Sequence, residues 1–312
     1  MGFSCAYYIF VATNLRYLTL LASGCKWDLP FWFFIAVQVL IYVPLSWVRK
    51  IKSFSITSLI ADVFILIGLI YILSFDVFKI SLKGVAKDLL WINYESFPLM
   101  IGTAMFAFEG ICLILPIAHS MKKPEQFTSV ITWCMFTIGV VMIVIGSMGY
   151  LALGNNVSTV VFLDLPQGFL PNSLQFFYVI AIILSFPLCV YPAIKITEFG
   201  IFGKRDGKSS HLVKWQKNLF RTITVSCLGL ISWAGSDSLD KVVSLVGCFA
   251  CIPLSFIYPA MFHYKITTSR FYKIIDLLLI VFGTIAMLYT TSVTLQQWAM
   301  NAPTPQKDPC FL

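Results

Sequence analysis

Nine apolar stretches, each about long enough to cross a bilayer, fill most of this 312-residue chain and leave it few ways to fold. A hydrocarbon core about 30 Å thick takes about 20 helical residues at about 1.5 Å each. Lipid offers no water to bond backbone amides, so each stretch reads as a helix that satisfies its own hydrogen bonds. The stretches lie at 3–22, 31–48, 55–75, 97–118, 128–153, 172–195, 218–234, 241–263 and 274–297. With 59% hydrophobic and 12% charged residues and a mean hydropathy of +0.86, polar side chains are too scarce to cover a water-exposed fold. The expected fold class is all-α: a polytopic helical bundle in a single transmembrane domain, with the lipid bilayer as its solvent.

The net charge of +8 would suit nucleic acid in a soluble protein, but here the basic residues gather in short connections, and no nucleic-acid partner is expected. One alternating set of connections holds Arg49, Lys50, Lys52, Lys122, Lys123, Lys195, Lys204, Arg205, Lys208, Lys214, Lys217, Arg221, Lys265, Arg270 and Lys273, which is 15 of the 22 basic residues. The other holds Lys26, Lys79, Lys83, Lys87, Lys241 and Lys307 beside Asp28, Asp76, Asp88, Glu95, Asp164, Asp237 and Asp240. The bias places the first set and the N-terminus in the cytosol and the C-terminus on the opposite side. The stretch 76–96, with charges alternating with Leu and Ile, reads as a loop on the membrane surface. Residues 199–217 read as a flexible basic connection. Nine Cys are scattered, several of them (Cys112, Cys134, Cys189, Cys227, Cys248, Cys251) within apolar stretches, and no His stands at ligand spacing. No metal, cofactor or disulfide framework is expected.

Polar residues within the stretches are the candidates for function, because a charge at that depth costs at least about 2.5 kcal/mol. The fourth stretch carries Gly102-Thr103-Ala104-Met105-Phe106-Ala107-Phe108-Glu109-Gly110. Two glycines flanking Thr103 allow a helix to unwind at low steric cost, freeing carbonyls and amides for a zwitterion; small-residue packing between helices is the alternative. Glu109 is either a carboxyl that loads and releases a proton or a structural acid bonded to a neighbour. Phe106 and Phe108 could wall an apolar pocket, among 28 Phe that mostly pack or face lipid. Tyr7, Tyr8 and Asn14 fit either a cavity wall or interhelical hydrogen bonding. Asp62 sits about seven residues into the third stretch, and Arg16 can snorkel to an interface. Ser185, with Pro187 and Pro192, marks a helix whose hydrogen-bond ladder loses donors, and Pro253 and Pro259 act similarly in the eighth stretch. His119 and His263 fall at stretch ends, where solvated roles are expected.

Several segments carry a resemblance: GFSCAYYIFVATNL at 2–15, GTAMFAFEGICLILPIAHSMKKPEQF at 102–127, GSMGYLALG at 146–154, FPLCVYPAIKITE at 186–198 and LDKVVSLVGCFACIPLSFIYP at 239–259. In this order they resemble the amino acid/auxin permease family, and within it the fungal vacuolar amino-acid transporters and the proton-coupled amino-acid transporters of animals. The resemblance implies an eleven-helix inverted-repeat secondary transporter of the LeuT-like fold. It would move neutral amino acids with protons across a vacuolar, lysosome-like membrane, the plasma membrane being the other possibility. It further implies that the chain starts at the third family helix. Residues 3–75 would then be an incomplete first repeat, 97–263 the second, and 274–297 an extra C-terminal helix. Substrate contacts are expected at Gly102, Thr103, Ala104, Met105, Phe106, Phe108, Tyr8 and Ser185, with Glu109 coupling the proton. No enzyme is expected, since no nucleophile–base pair stands out. A truncated membrane sensor or scaffold of the same fold, which binds without transporting, is the alternative function.

Overall fold

A computed structural model describes residues 1–48, 55–94, 97–111, 114, 117–118, 121–203, 211–236 and 238–300, and every regular element among them is helical. The elements are α1 (Gly2–Ala22), α2 (Phe31–Ser46), α3 (Ser55–Lys83), α4 (Phe97–Phe108), α5 (Phe127–Leu153), α6 (Phe169–Phe202), α7 (His211–Ala234), α8 (Leu239–Val246), α9 (Tyr258–Ile266) and α10 (Arg270–Met300). Two π-helical turns, Gly247–Cys251 and Pro253–Ile257, join α8 to α9. Each of the nine apolar stretches therefore contains helix among the described residues. Among the described residues, five segments are long and apolar enough to cross a membrane: Leu59–Lys83, Pro124–Leu153, Phe169–Phe202, Leu239–Ile266 and Arg270–Met300. Phe31–Ser46 and Phe97–Phe108 are shorter apolar helices. Leu59, Leu66, Ile70 and Phe78 of α3, and Leu278, Phe282 and Ile285 of α10, are mostly exposed, the outward apolar face that a lipid solvent requires. The chain is an integral membrane protein.

The chain forms two compact units. Unit 1 holds Met1–Leu89 and Val144–Leu239; unit 2 holds Leu90–Ile143 and 240–300, so α5 contributes residues to both. In unit 1, α1 packs against α2, α6 and α7, α2 lies along α7, and α3 lies along α6. Burial follows helical stripes. α2 buries Phe34, Ile35, Gln38, Tyr42 and Ser46, while α7 buries Asn218, Arg221, Val225, Leu228, Gly229 and Ser232, both recurring every three or four residues. A side chain at Gly229 would meet Val39 Cγ2 at 3.0 Å, so glycine is what lets α7 approach α2 this closely. In unit 2, α4 crosses the first π-helical turn, and α10 packs on α4, α9 and both π-helical turns. His263 Nδ1 of α9 lies 2.8 Å from Oδ2 of the buried Asp276 on α10, so His263 is not simply solvated.

Several charges sit differently from their sequence-based placement. α3 continues to Lys83 instead of ending near 75, because apolar residues flank Asp76 and Lys79 and the first helix-ending conformation comes only at Gly84, with φ +73°. Asp76 is therefore a buried helical residue and not part of a loop, and 84–94 forms no surface helix. Residues 84–94 are instead tied to the end of α5: Asn155 N donates to Asp88 Oδ2 at 3.0 Å, Asn155 Nδ2 to Asp88 O at 2.9 Å, and Ala86 N to Leu151 O at 3.0 Å. Lys241 is buried within α8. Asp62 faces outward, and Arg16 pairs with Asp28 at 3.0 Å. α6 runs unbroken through Pro187 and Pro192. Cys25, beyond the left-handed Gly24 that ends α1, is disulfide-bonded. Arg49, Lys50, Lys52, Glu95, Cys112, His119, 204–210, Asp237 and Lys307 lie outside the described residues.

Arg221 is the largest departure, a full charge within α7 at 1% exposure and not a residue of the basic connection. Its Nε donates to Glu198 Oε1 at 2.6 Å and its Nη1 to the Ser46 carbonyl at 2.6 Å, joining α7, α6 and the end of α2. The guanidinium bonds the Ser46 and Val48 carbonyls at the end of α2, groups that no helical amide can reach. Arg221→Met is expected to cost about 3–5 kcal/mol by stranding Glu198, and Arg221→Met/Glu198→Met together much less. Thermal unfolding of the purified variants in detergent checks this order.

Candidate functional site

In unit 2, the fourth stretch breaks directly after Phe108, the last of the expected substrate-contact residues. Gly102–Phe108 is helical, contrary to the expected unwinding, and the chain leaves the helix at Glu109 and Gly110 before returning to helix at Ile111. The reason lies in how Gly102 is used. A Cβ there would fall 2.5 Å from Cys248 Sγ and from the Ser244 carbonyl, and one at Gly247 would overlap the Gly102 carbonyl. The two glycines face each other where α4 crosses the π-helical turn, so Gly102 serves the packing alternative. Gly110, in contrast, has open space around it and takes the break.

Ending α4 at Phe108 leaves the last carbonyls of that helix without intrahelical amides and gives this point a partial negative charge. Glu109 adds to it. Its Oε1 accepts from the Ile111 amide at 3.2 Å, a local bond that caps the chain as it re-enters helix. The site thus offers main-chain oxygens and a carboxyl to a cation or ammonium group. Ala104, Met105 and Phe106 are half-buried. Thr103 is exposed and its Oγ1 donates to its own helix at Leu99 O, 3.0 Å. Phe108 is exposed and faces Gly139 of α5, where an added Cβ would lie 3.8 Å from its ring.

Across from α4, regular α-helix gives way from Gly247 to Ile257. Pro253 removes a donor from the ladder, and the amides of Ile252 and Tyr258 bond five residues back, to Gly247 O and Pro253 O. Ser244 Oγ, one turn before Gly247, lies within 3.3 Å of both the Leu99 carbonyl and Thr294 Oγ1, a buried polar seam among α4, α8 and α10 that was not singled out from sequence. Cys248 and Cys251 have C-x-x-C spacing, yet neither is disulfide-bonded, and no group of three metal-ligating side chains occurs among the described residues.

Tyr8 and Ser185 belong to unit 1 and are described within it. Tyr8 is fully buried. Its hydroxyl donates to the Val225 carbonyl at 3.2 Å, and its ring packs edge-on against Tyr42 at 4.9 Å and Phe186 at 5.4 Å. Tyr42 stacks on Phe186 at 3.7 Å. Ser185, beside Phe186, bonds its own helix at Ala181 O. Gln38 Nε2 donates to the Tyr8 carbonyl, while Gln38 Oε1 and the Tyr42 hydroxyl are buried without hydrogen-bond partners. Asn14 takes the interhelical role, accepting from Gln175 Nε2 of α6 at 2.8 Å. Gln38 and Gln175 are amides inside apolar stretches, a signal that the sequence itself carries.

Gly247→Ala and Gly102→Ala are each expected to destabilise unit 2 by about 1–3 kcal/mol, the range for overpacking. Gly146→Ala on α5, with nothing within 4 Å, is expected to be neutral or to gain up to about 1 kcal/mol of helix propensity. Unfolding midpoints of the three variants check the contrast.

The pattern of the family described as transmembrane amino acid transporter protein matches residues 1–296. The chain is 44% identical over 295 residues to vacuolar amino acid transporter 3 of Schizosaccharomyces pombe, covering 94% of this chain and 45% of that protein. It is 43% identical over 307 residues to vacuolar amino acid transporter 3 of Saccharomyces cerevisiae, covering 96% and 44%. It is 40% identical over 328 residues to vacuolar amino acid transporter 4 of the same yeast, covering 93% and 45%. The chain thus spans a little under half the length of these relatives. No solved structure matches it.

Proposed function

Because the chain belongs to the family of transmembrane amino acid transporter proteins, we propose that it moves neutral amino acids across the vacuolar membrane as a proton-coupled secondary transporter of the inverted-repeat type. The observation that carries this reading is the interruption at Glu109–Gly110 within an otherwise apolar stretch. A helix end there presents carbonyls and a carboxyl where lipid would otherwise demand a closed ladder, and broken helices bind charged solute groups in this way. The substrate's ammonium meets the α4 C-terminus, and Met105, Phe106 and Phe108 flank its side chain. Gly102, Thr103 and Ala104 shape α4 at the same place.

Glu109 is the proton carrier in this scheme. Gain or loss of its proton changes the charge that faces the substrate, so proton and substrate affinity are linked. The vacuolar location is supported by the names of the yeast relatives. The orientation, N-terminus cytosolic, is supported by the Lys/Arg bias and by the disulfide at Cys25, which falls in a connection assigned to the opposite, oxidising side. Transport then runs from an acidic lumen to the cytosol, down the proton gradient.

Uptake of labelled neutral amino acids into vesicles, at several imposed pH gradients, tests the proposal. The wild-type chain is expected to show uptake that rises with the gradient, and Glu109→Gln to retain binding while losing that rise. Binding of amino acids without uptake would favour the sensor alternative.

A further inference from the structure

Asp76 is a carboxyl with no visible means of support. It lies on α3 at 0% exposure, and neither of its oxygens has a hydrogen-bond partner. Its surroundings explain why none is at hand. α5 presents Gly149, whose absent side chain leaves the carboxyl room: a Cβ there would lie 3.6 Å from Oδ2. On its own helix it is flanked by Ile72 and Phe75, members of an apolar cluster with Tyr17 and Phe162. The Glu109 carboxyl accepts an amide, and Glu198 has Arg221; Asp76 has neither kind of support.

Among the described residues, few charged groups face Asp76. Lys79 follows on the same helix and Asp164 lies on the short turn Val161–Asp164. Lys79 makes no ion pair with Asp76; its ammonium lies 6.0 Å over the Phe75 ring. Asp164 is engaged by Ser158, whose amide and hydroxyl both donate to it at 2.7 Å. Arg16 of α1 is taken by Asp28. α6 carries no charged residue between Phe169 and Ile194, and α5 none between Val144 and Leu153.

We propose that Asp76 is a proton-binding site, neutral in this conformation, whose carboxyl gains and loses a proton as the protein works. An ionised carboxylate in this place would cost several kcal/mol with nothing to offset it, whereas the acid form carries no charge to desolvate. The residue lies seven positions before the end of α3, about 10 Å by helical rise, so the connection 84–94 marks the aqueous side from which the proton comes. On loss of the proton to water, the O–H becomes a carboxylate, and Lys79, three residues on, can leave Phe75 and pair with it. The two states differ in charge at one spot and in the position of one lysine. This rests on the transport reading only for the proton's use; the binding site itself stands on burial and the missing partners. It adds a proton site on α3, in unit 1, to the Glu109 site in unit 2.

Two measurements on the full chain test it. Infrared difference spectroscopy during a pH titration is expected to show the carbonyl band of a protonated carboxyl that disappears in Asp76→Asn and shifts in Asp76→Glu; an unchanged band in Asp76→Asn overturns the proposal. In vesicles, Asp76→Asn is expected to keep exchange of labelled amino acid against a preloaded pool within about twofold of wild type, while its response to an imposed pH gradient changes. A wild-type pH response in that variant overturns the link to transport. If the wild-type chain moves no amino acid, the transport reading fails, and the infrared band still decides Asp76.

Discussion

The structure rests on one constraint: a backbone inside lipid must bond to itself, so every departure from the α-helical ladder requires a local cause. The departures here are few and each has one. Pro253 and the Gly102–Gly247 crossing accompany ten π-helical residues between α8 and α9. Glu109 and Gly110 interrupt the fourth stretch, one capping the chain as it resumes and the other free of steric demand. α6 carries two internal prolines and nonetheless continues, which shows that a missing donor alone does not end a helix whose neighbours hold it. Among the described residues, breaks in the ladder inside the apolar stretches thus gather in unit 2, where α4 and the π-helical turns meet.

Polar groups in unit 1 obey a related rule. Several of those that join helices are bonded across them: Arg221 to Glu198 and the end of α2, Asn14 to Gln175, Tyr8 to Val225. These act as fasteners among α1, α2, α6 and α7, worth retaining because apolar packing alone gives helices in lipid little reason to choose one register. Asp76 is a buried carboxyl with nothing to bond, and the Tyr42 and Thr13 hydroxyls and Gln38 Oε1 are also buried without partners. For a hydroxyl the penalty is modest. For a carboxyl it decides the protonation state, and that is why Asp76 carries chemistry while Arg221 carries structure.

Much of the site was legible and its use was not. The GTAMFAFEG segment was identified as the place where a crossing could open, and the crossing does open there, but seven residues beyond Gly102. Both glycines looked alike in sequence; one sits against Gly247 and the other against empty space, a difference that depends on a helix 145 residues away. Asp76 and Arg221 were assigned to connections because charge ordinarily marks them. Helix length reversed the first, and a partner on another helix reversed the second.

What the sequence by itself determined is the class and the placement of helices, since apolar length is a one-dimensional property that lipid reads directly. It also located an acid inside the fourth stretch. Only the tertiary structure decided which polar residues are satisfied and which are left to titrate, which glycine packs and which one yields, and where the ladder breaks. Those outcomes depend on donors, acceptors and atoms brought from distant parts of the chain, and spacing along a single helix carries no record of them.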